Sequence, residues 1–261
     1  MDMDIPNVVS DLPTGHIRSD SLPAETWKRI RTQDEAYGLY PDIDDPDFAA
    51  RLFRKTEFAS LKSVLPPEDT CESDGVAFST TPVQRLVARF LHPTTPYRGL
   101  LLNHGVGVGK TCSAITVAET YLETMPEHCV YILCPNAIAD NFKRTIFDAS
   151  RLKPASKDDM RLKGERWTSP QCTGMTYLHL TGTEGVEKLD EIQKEVDKVT
   201  RVRYNIKGYL AFANLIQRKF DEIPPTIKKK EDREDKEKEI LRQLFNDHLI
   251  IIDECHNLRD T

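Results

Sequence analysis

The sequence predicts an α/β domain built on a mostly parallel sheet, and three observations predict it. Short apolar runs recur at 99–103, 129–134 and 249–252. Stretches of helical periodicity alternate with them. A glycine-rich loop, His104-Gly-Val-Gly-Val-Gly-Lys-Thr111, stands between the first run and a helix. Runs that are apolar throughout read as strands buried on both faces, which requires helices on both sides of the sheet.

The 261 residues allow one large domain, or one domain plus an extension. The expected division is an N-terminal extension over 1–75 and a nucleotide-binding lobe over 76–261, with a charged insert at 221–242. A hydrophobic fraction of 39% supplies a core, and a charged fraction of 30% a solvated surface. The net charge of −6 excludes a bulk-basic nucleic-acid binder, so nucleic acid would be met by a local patch or by backbone amides. Cys71, Cys112, Cys129, Cys134, Cys172 and Cys255 form no CxxC pair, and several sit in apolar runs. They read as buried reduced thiols rather than as a metal or disulfide framework. The acidic start, MDMDIPNVVSDLP, lacks the apolar core of a secretory signal. No apolar run approaches the roughly 20 residues of a membrane span. A reducing, aqueous compartment and no membrane partner are expected.

The elements follow in order. Residues 1–45 read as an extended arm with one short helix near 24–31. Asp45 and Pro46 supply a cap and a first-turn proline for a helix carrying Phe48 and Leu52. Thr81 and Pro82 do the same for a second helix, whose Val83, Leu86, Val87, Phe90 and Leu91 fall on one face before His92-Pro93 ends it. Gly99-Leu-Leu-Leu-Asn103 reads as a buried parallel strand, and residues 110–123 as a helix. A strand at 129–134 stops at Pro135, and a helix is expected over 137–147. Residues 151–170 read as loop, and 184–199 as a helix with an apolar stripe that packs on the core. Val202, Tyr204 and Ile206 alternate like a strand, and 208–220 reads as a helix. The mixed charges of 221–242 suggest a solvated helix or loop. Leu249-Ile-Ile-Ile252 is the last strand.

The loop carries chemistry. Glycines at 105, 107 and 109 let the backbone approach a ligand closely and turn its N–H groups inward on phosphate oxygens. The following helix adds its positive end. Lys110 reaches the outer phosphates of ATP, and Thr111 offers a hydroxyl to Mg²⁺. An acidic partner belongs at the end of another strand, and Ile250-Ile-Ile-Asp253-Glu254-Cys255-His256 supplies it. Asp253 would orient Mg²⁺ through water, Glu254 would polarise the attacking water, and His256 would link nucleotide and nucleic-acid sites. Gln84, upstream on the capped helix, can both donate to and accept from an adenine edge.

Together these residues resemble superfamily 2 helicases and translocases. Thr81-Pro-Val-Gln84 resembles their Q motif, Gly105 to Thr111 their motif I, and Asp253-Glu-Cys-His256 motif II in its DExH form. The usual first loop glycine or alanine is His104 here. Cys134-Pro135-Asn136 resembles motif Ia, and Cys172-Thr173-Gly174 the next nucleic-acid-contacting motif. The runs around Tyr40-Pro41, Asp45 to Phe48, Lys55 to Phe58, Thr95 to Tyr97, Asn103 to Cys112 and Tyr204 to Asn214 are similar to giant-virus helicases related to poxvirus early transcription factor and nucleoside triphosphate phosphohydrolase subunits.

The resemblance implies a RecA-like lobe, ATP and Mg²⁺ as ligands, and movement on DNA or RNA, in viral transcription with viral polymerase or transcription-factor partners. It places Cys112 in the nucleotide-contacting turn and puts nucleic acid at Pro135, Asn136, Thr173 and Gly174. Lys143, Arg144, Arg151, Lys153, Lys157, Arg161, Lys163 and Arg166 form a local basic excess between them. It also implies a virion, viral factory or host-cytoplasmic setting. The family's coupling motif, second lobe and arginine finger are not in this sequence, so a partial product with little turnover of its own is expected. Two alternatives stay open: a P-loop ATPase subunit of a nuclease or packaging machine, and a non-enzymatic nucleotide-binding interaction fragment.

Overall fold

The computed structural model describes residues 40–61, 80–103, 109–157, 164–227 and 229–260. The expected arm and its helix near 24–31 lie outside them. The first elements are two short helices, α1 (Phe48–Leu52) and α2 (Thr56–Ala59). The first begins two residues later than the sequence suggests. Asp45 does take up a free amide, but that of Asp47 at 2.8 Å, in a turn that precedes the helix. Both helices pack on α3 (Pro82–Phe90): Leu52, Phe58, Phe90 and Tyr97 form one buried cluster. Phe90 and Tyr97 stack at 4.3 Å within it.

The expected cap of α3 is present in full. Thr81 Oγ1 accepts from the Gln84 N–H at 3.2 Å, and Gln84 Oε1 accepts from the Thr81 N–H at 2.8 Å. That reciprocal box satisfies two otherwise orphaned amides. After α3 the chain runs through residues 99–103 without forming the expected strand. Its apolarity has a different outlet: Leu102 packs beside Val87, Ala88 and Val117, while Leu101 stays 77% exposed.

The sheet has three parallel strands in the order β4-β1-β5, with β1 (Val130–Leu133), β4 (Tyr204–Lys207) and β5 (Leu249–Ile252). In register, Val130 faces Tyr204 on one side and Leu249 on the other. The central strand is buried at every position, as its unbroken apolar run requires. On one side Val130 and Ile132 join a core with Ile115, Ala118 and Leu122 of α4 (Lys110–Thr124) and Phe142 and Ile146 of α5 (Ala139–Ile146). Tyr177 and Leu178 of α6 (Thr176–Thr181) and Ile192 and Val196 of α7 (Leu189–Arg203) complete it. Each such side chain contributes roughly 1.5–3 kcal/mol by burial. Tyr131 instead meets Phe212 at 6.1 Å and Phe245 at 5.3 Å, from α8 (Tyr209–Phe220) and α9 (Lys230–Phe245). The charged insert is therefore largely helix α9, which buries no residue, while Ile223 ahead of the helix is buried.

Three further expectations are corrected. The loop at 151–170 holds a two-residue antiparallel pair, β2 (Lys153–Pro154) with β3 (Trp167–Thr168). Helix α7 starts at Leu189 rather than 184, because Thr183 to Lys188 lie in the turn to which the Trp167 indole N–H is tied, through the Val186 carbonyl at 2.7 Å. Val202 belongs to the end of α7, not to the strand. Among the described residues no helix is long and apolar enough to cross a membrane.

Candidate functional site

The structure brings some of the expected site residues together: Lys110 beside Glu254, and Gly109 beside Gln84. Gly105 and Gly107 lie outside the described residues. Gly109 caps α4 in the left-handed region, φ +81°, which suits a residue without a Cβ. Lys110 and Thr111 are the first two residues of α4, and Cys112 the third. Gln84 is 5% exposed, its amide oxygen taken by the Thr81 amide. A Cβ on Gly109 would sit 3.2 Å from Gln84 Nε2, so the glutamine amide lies directly against the end of the loop. This burial answers why a polar residue stands there: it is part of a cap as well as a neighbour of the loop.

At the end of β5, the Asp253 N–H donates to the Leu133 carbonyl at 2.9 Å and extends the ladder by one bond. Asp253 Oδ1 accepts from the Glu254 N–H at 3.1 Å. Glu254 Oε1 stands 3.9 Å from Lys110 Nζ, and Glu254 Oε2 3.3 Å from His256 Nδ1. Burial, and then the Glu254 charge, push the Asp253 carboxyl above the ordinary aspartate range, against the opposing Glu254 amide and Lys110. Two carboxylates side by side, faced by one lysine at nearly 4 Å, form a site short of positive charge. A divalent cation fits that deficit. Among the described residues no cluster of three His, Cys, Asp or Glu could hold a metal unaided. Mg²⁺, which keeps several waters and takes phosphate oxygens, needs no such cluster.

Asn136, exposed, begins a 3₁₀ turn after β1 and lies across Gly208 at the end of β4. Thr173 is buried, its hydroxyl donating to the Ile146 carbonyl at 2.7 Å, which leaves backbone there rather than side chain to meet a ligand. Gly174 beside it has φ +53°. Much of the expected basic excess is neutralised in place: Lys143 pairs with Asp140 at 2.8 Å, Arg151 with Asp148 at 3.7 Å and Arg166 with Glu187 at 3.4 Å. Arg161 and Lys163 lie outside the described residues. A cavity of about 840 Å³ lies beside β4, lined by Lys143 and Arg144 of the basic stretch and by Gln193, Arg201 and Tyr204. It contains none of the expected site residues.

Two features escaped the sequence. Cys112 and Cys172 form a disulfide, with Cα atoms 5.7 Å apart across 60 residues of sequence, which corrects the expectation of reduced thiols throughout. The physical reason is spatial: the first turn of α4 packs beside the turn that leads into α6, a proximity no local spacing encodes. Cys255 is also exposed rather than buried. The second feature is Tyr209, whose hydroxyl donates to the Asp253 carbonyl and lies 3.3 Å from the Glu254 carbonyl.

Comparison with known proteins agrees with this architecture. A protein named as a candidate ATP-dependent RNA helicase of Acanthamoeba polyphaga mimivirus is 27% identical over 224 residues, covering 84% of this chain and 31% of its own. A candidate helicase of Invertebrate iridescent virus 3 is 27% identical over 232 residues, covering 85% of this chain and 19% of its own. An early transcription factor large subunit homolog of African swine fever virus is 33% identical over 117 residues, covering 32% of this chain and 10% of its own. No protein-family model and no solved structure matches the chain. The chain thus spans between 19% and 31% of the length of these two helicase-named relatives. It is a homologue, over most of its own length, of helicase-named proteins from giant and iridescent viruses.

Proposed function

We propose that this chain is the nucleotide-binding lobe of an ATP-dependent nucleic-acid helicase or translocase acting in viral transcription, with residues 76–261 as the lobe and 1–75 as its extension. The observation that carries the reading is the approach of Lys110 to the Glu254 carboxylate, 3.9 Å away and next in sequence to Asp253. A lysine on the first turn of a helix, facing an acidic pair at a strand end, is the arrangement phosphoryl transfer needs. In this reading Gly105, Gly107, Gly109 and Cys112 present backbone amides to the phosphates and Lys110 neutralises the outer ones. The Thr111 hydroxyl and Asp253 hold Mg²⁺, which when bound draws charge from the phosphate oxygens. Glu254 orients the attacking water, with His256 beside it, and Gln84 lies on the adenine side. Pro135, Asn136, Thr173 and Gly174 meet the nucleic-acid backbone, DNA or RNA. Viral polymerase or transcription factors are the proposed partners, in the virion, the viral factory or the infected cytoplasm.

The test separates binding from chemistry. Mg²⁺-dependent binding of ATP to this chain should fall by at least about tenfold in Lys110→Ala, as loss of a charge-assisted contact worth about 1.5–3 kcal/mol implies. Glu254→Gln should still bind and should lose whatever slow hydrolysis the chain shows. Equal affinity in wild type and Lys110→Ala, by titration calorimetry, would remove the site assignment.

A further inference from the structure

Among the described residues β4 is an edge strand: it pairs with β1 on one side and with no strand on the other. The pairing fixes which backbone groups are left over. The Cys134 N–H donates to the Lys207 carbonyl at 3.1 Å, so Lys207 turns its backbone groups towards β1. In a parallel ladder alternate residues bond to opposite neighbours, so Asn205 also faces β1 while Tyr204 and Ile206 face outward. The Tyr204 N–H is taken by the Thr200 carbonyl at the end of α7. The Ile206 N–H and the Tyr204 and Ile206 carbonyls are therefore presented at the open edge. A row of such groups is a template for one more strand.

The edge opens on the cavity of about 840 Å³, which residues of β4, α5 and α7 line. Its wall includes the buried side chains of Ile146, Phe147 and Val196. Its rim is charged. Asp148 and Asp197 belong to it but are engaged, Asp148 by the Ser150 amide and hydroxyl and Asp197 by the Gln193 side-chain amide. Lys143 is paired with Asp140. Arg144 and Arg201 are exposed, and among the described residues neither is hydrogen-bonded or ion-paired. Arg144 acts on Asp140 and Asp148 through its charge alone. Two arginines thus stand free beside an unpaired strand edge.

We propose that the β4 edge is a docking site for an extended acidic segment of a partner protein, which adds a strand to the sheet. A peptide residue opposite Asn205 donates its N–H to the Tyr204 carbonyl and accepts from the Ile206 N–H, the bond pair of a parallel ladder. Alternate side chains of the added strand fall on the face that carries α5 and α7, with carboxylates towards Arg144 and Arg201. The backbone chemistry selects a peptide over a nucleic-acid strand. A phosphodiester supplies acceptors for the Ile206 N–H but no donor for the two carbonyls. The charge selects the acidic class, because a basic segment would meet both arginines. The cavity shares no residue with the site of Lys110, Asp253 and Glu254, so the inference does not rest on the proposed function.

The probe is a fluorescent short peptide alternating valine and glutamate, titrated onto the full chain and read by anisotropy. It should bind, and the same peptide with lysine for glutamate should bind at least about tenfold more weakly. Arg144→Glu with Arg201→Glu should reverse that order and leave the melting temperature near wild type, since both side chains are exposed. Backbone pairing is tested on the peptide, which leaves the fold untouched. N-methylation of every valine, or of every glutamate, blocks the N–H groups of one peptide edge only. One methylated form should keep its affinity and the other lose about tenfold or more. Equal affinity of the two forms, or a preference for glutamate that survives the charge reversal, would overturn the inference. So would no binding of the glutamate peptide, which would leave the arginines as guards against strand pairing. Tighter binding of a peptide of the chain's own residues 1–13 would give the edge to that segment instead. Dimerisation lost in Arg201→Glu would give it to a second copy, and displacement of the glutamate peptide by oligothymidylate to nucleic acid.

Discussion

At Asp253 the role proposed for the residue is set against stability. Its folded-state pKa lies above the ordinary aspartate value, chiefly through burial and then the Glu254 charge. The folded state therefore holds that proton more tightly than the unfolded state does. Stability from this group is fully present below the unfolded pKa and is lost as pH rises through the folded one, so at neutral pH its charge opposes folding. Asp253→Asn should accordingly melt higher than wild type at pH 7. The gain should shrink as pH is lowered towards 4, while Mg²⁺-dependent nucleotide binding falls. A melting point unchanged or lower at pH 7, by calorimetry without ligand, would show that the carboxylate is not under the strain described. That Lys110 and the Asp253-Glu254 pair belong near one another was legible in the sequence, because both sit in short local patterns, and Lys110 does lie 3.9 Å from Glu254. Tyr209 and the seat of Asn136 on Gly208 were not, because they depend on which strand ends lie side by side.

At the scale of elements, α4 is anchored through one buried carboxylate, Glu119. It accepts from the Tyr177 hydroxyl of α6 at 2.7 Å, the Tyr204 hydroxyl of β4 at 2.5 Å and Arg203 of α7 at 2.8 Å. The ion pair is only 15% and 11% exposed. Removing one partner of such a pair strands a buried charge, at a cost of about 3–5 kcal/mol. Arg203→Met should therefore lower the urea midpoint sharply, and Arg203→Met with Glu119→Gln should recover much of the loss. A double variant no better than the single one would mean that the arginine contributes packing alone. Periodicity found the helices this network joins except α6, whose six residues are too few for a face to repeat. It found β1 and β5 because their apolar runs are continuous, and it misread 99–103 because apolarity reports burial while a strand also needs a partner. Leu102 is packed, yet no ladder forms beside it.

Over the whole molecule, the Cys112–Cys172 bond joins the first turn of the nucleotide helix to the segment holding Thr173 and Gly174, across 60 residues of sequence. That loop contains β1, α5, the β2–β3 pair and the turn before α6, most of one side of the core. Closing a loop of this length restricts the unfolded chain by roughly 4 kcal/mol on the chain-entropy relation. Cys112 is 8% exposed while Cys172 is half-buried, so small reductants reach the bond chiefly from the Cys172 side. Dithiothreitol should thus act on the folded chain and, once it has acted, lower the urea midpoint. Cys172→Ser should show the lower midpoint from the outset and no further response to reductant. Thiol counting under unfolding conditions checks the pairing independently: reduction should release two further thiols, those of Cys112 and Cys172. Six free thiols without reductant, or a midpoint indifferent to reduction, would mean that packing alone holds the nucleotide helix against the segment before α6.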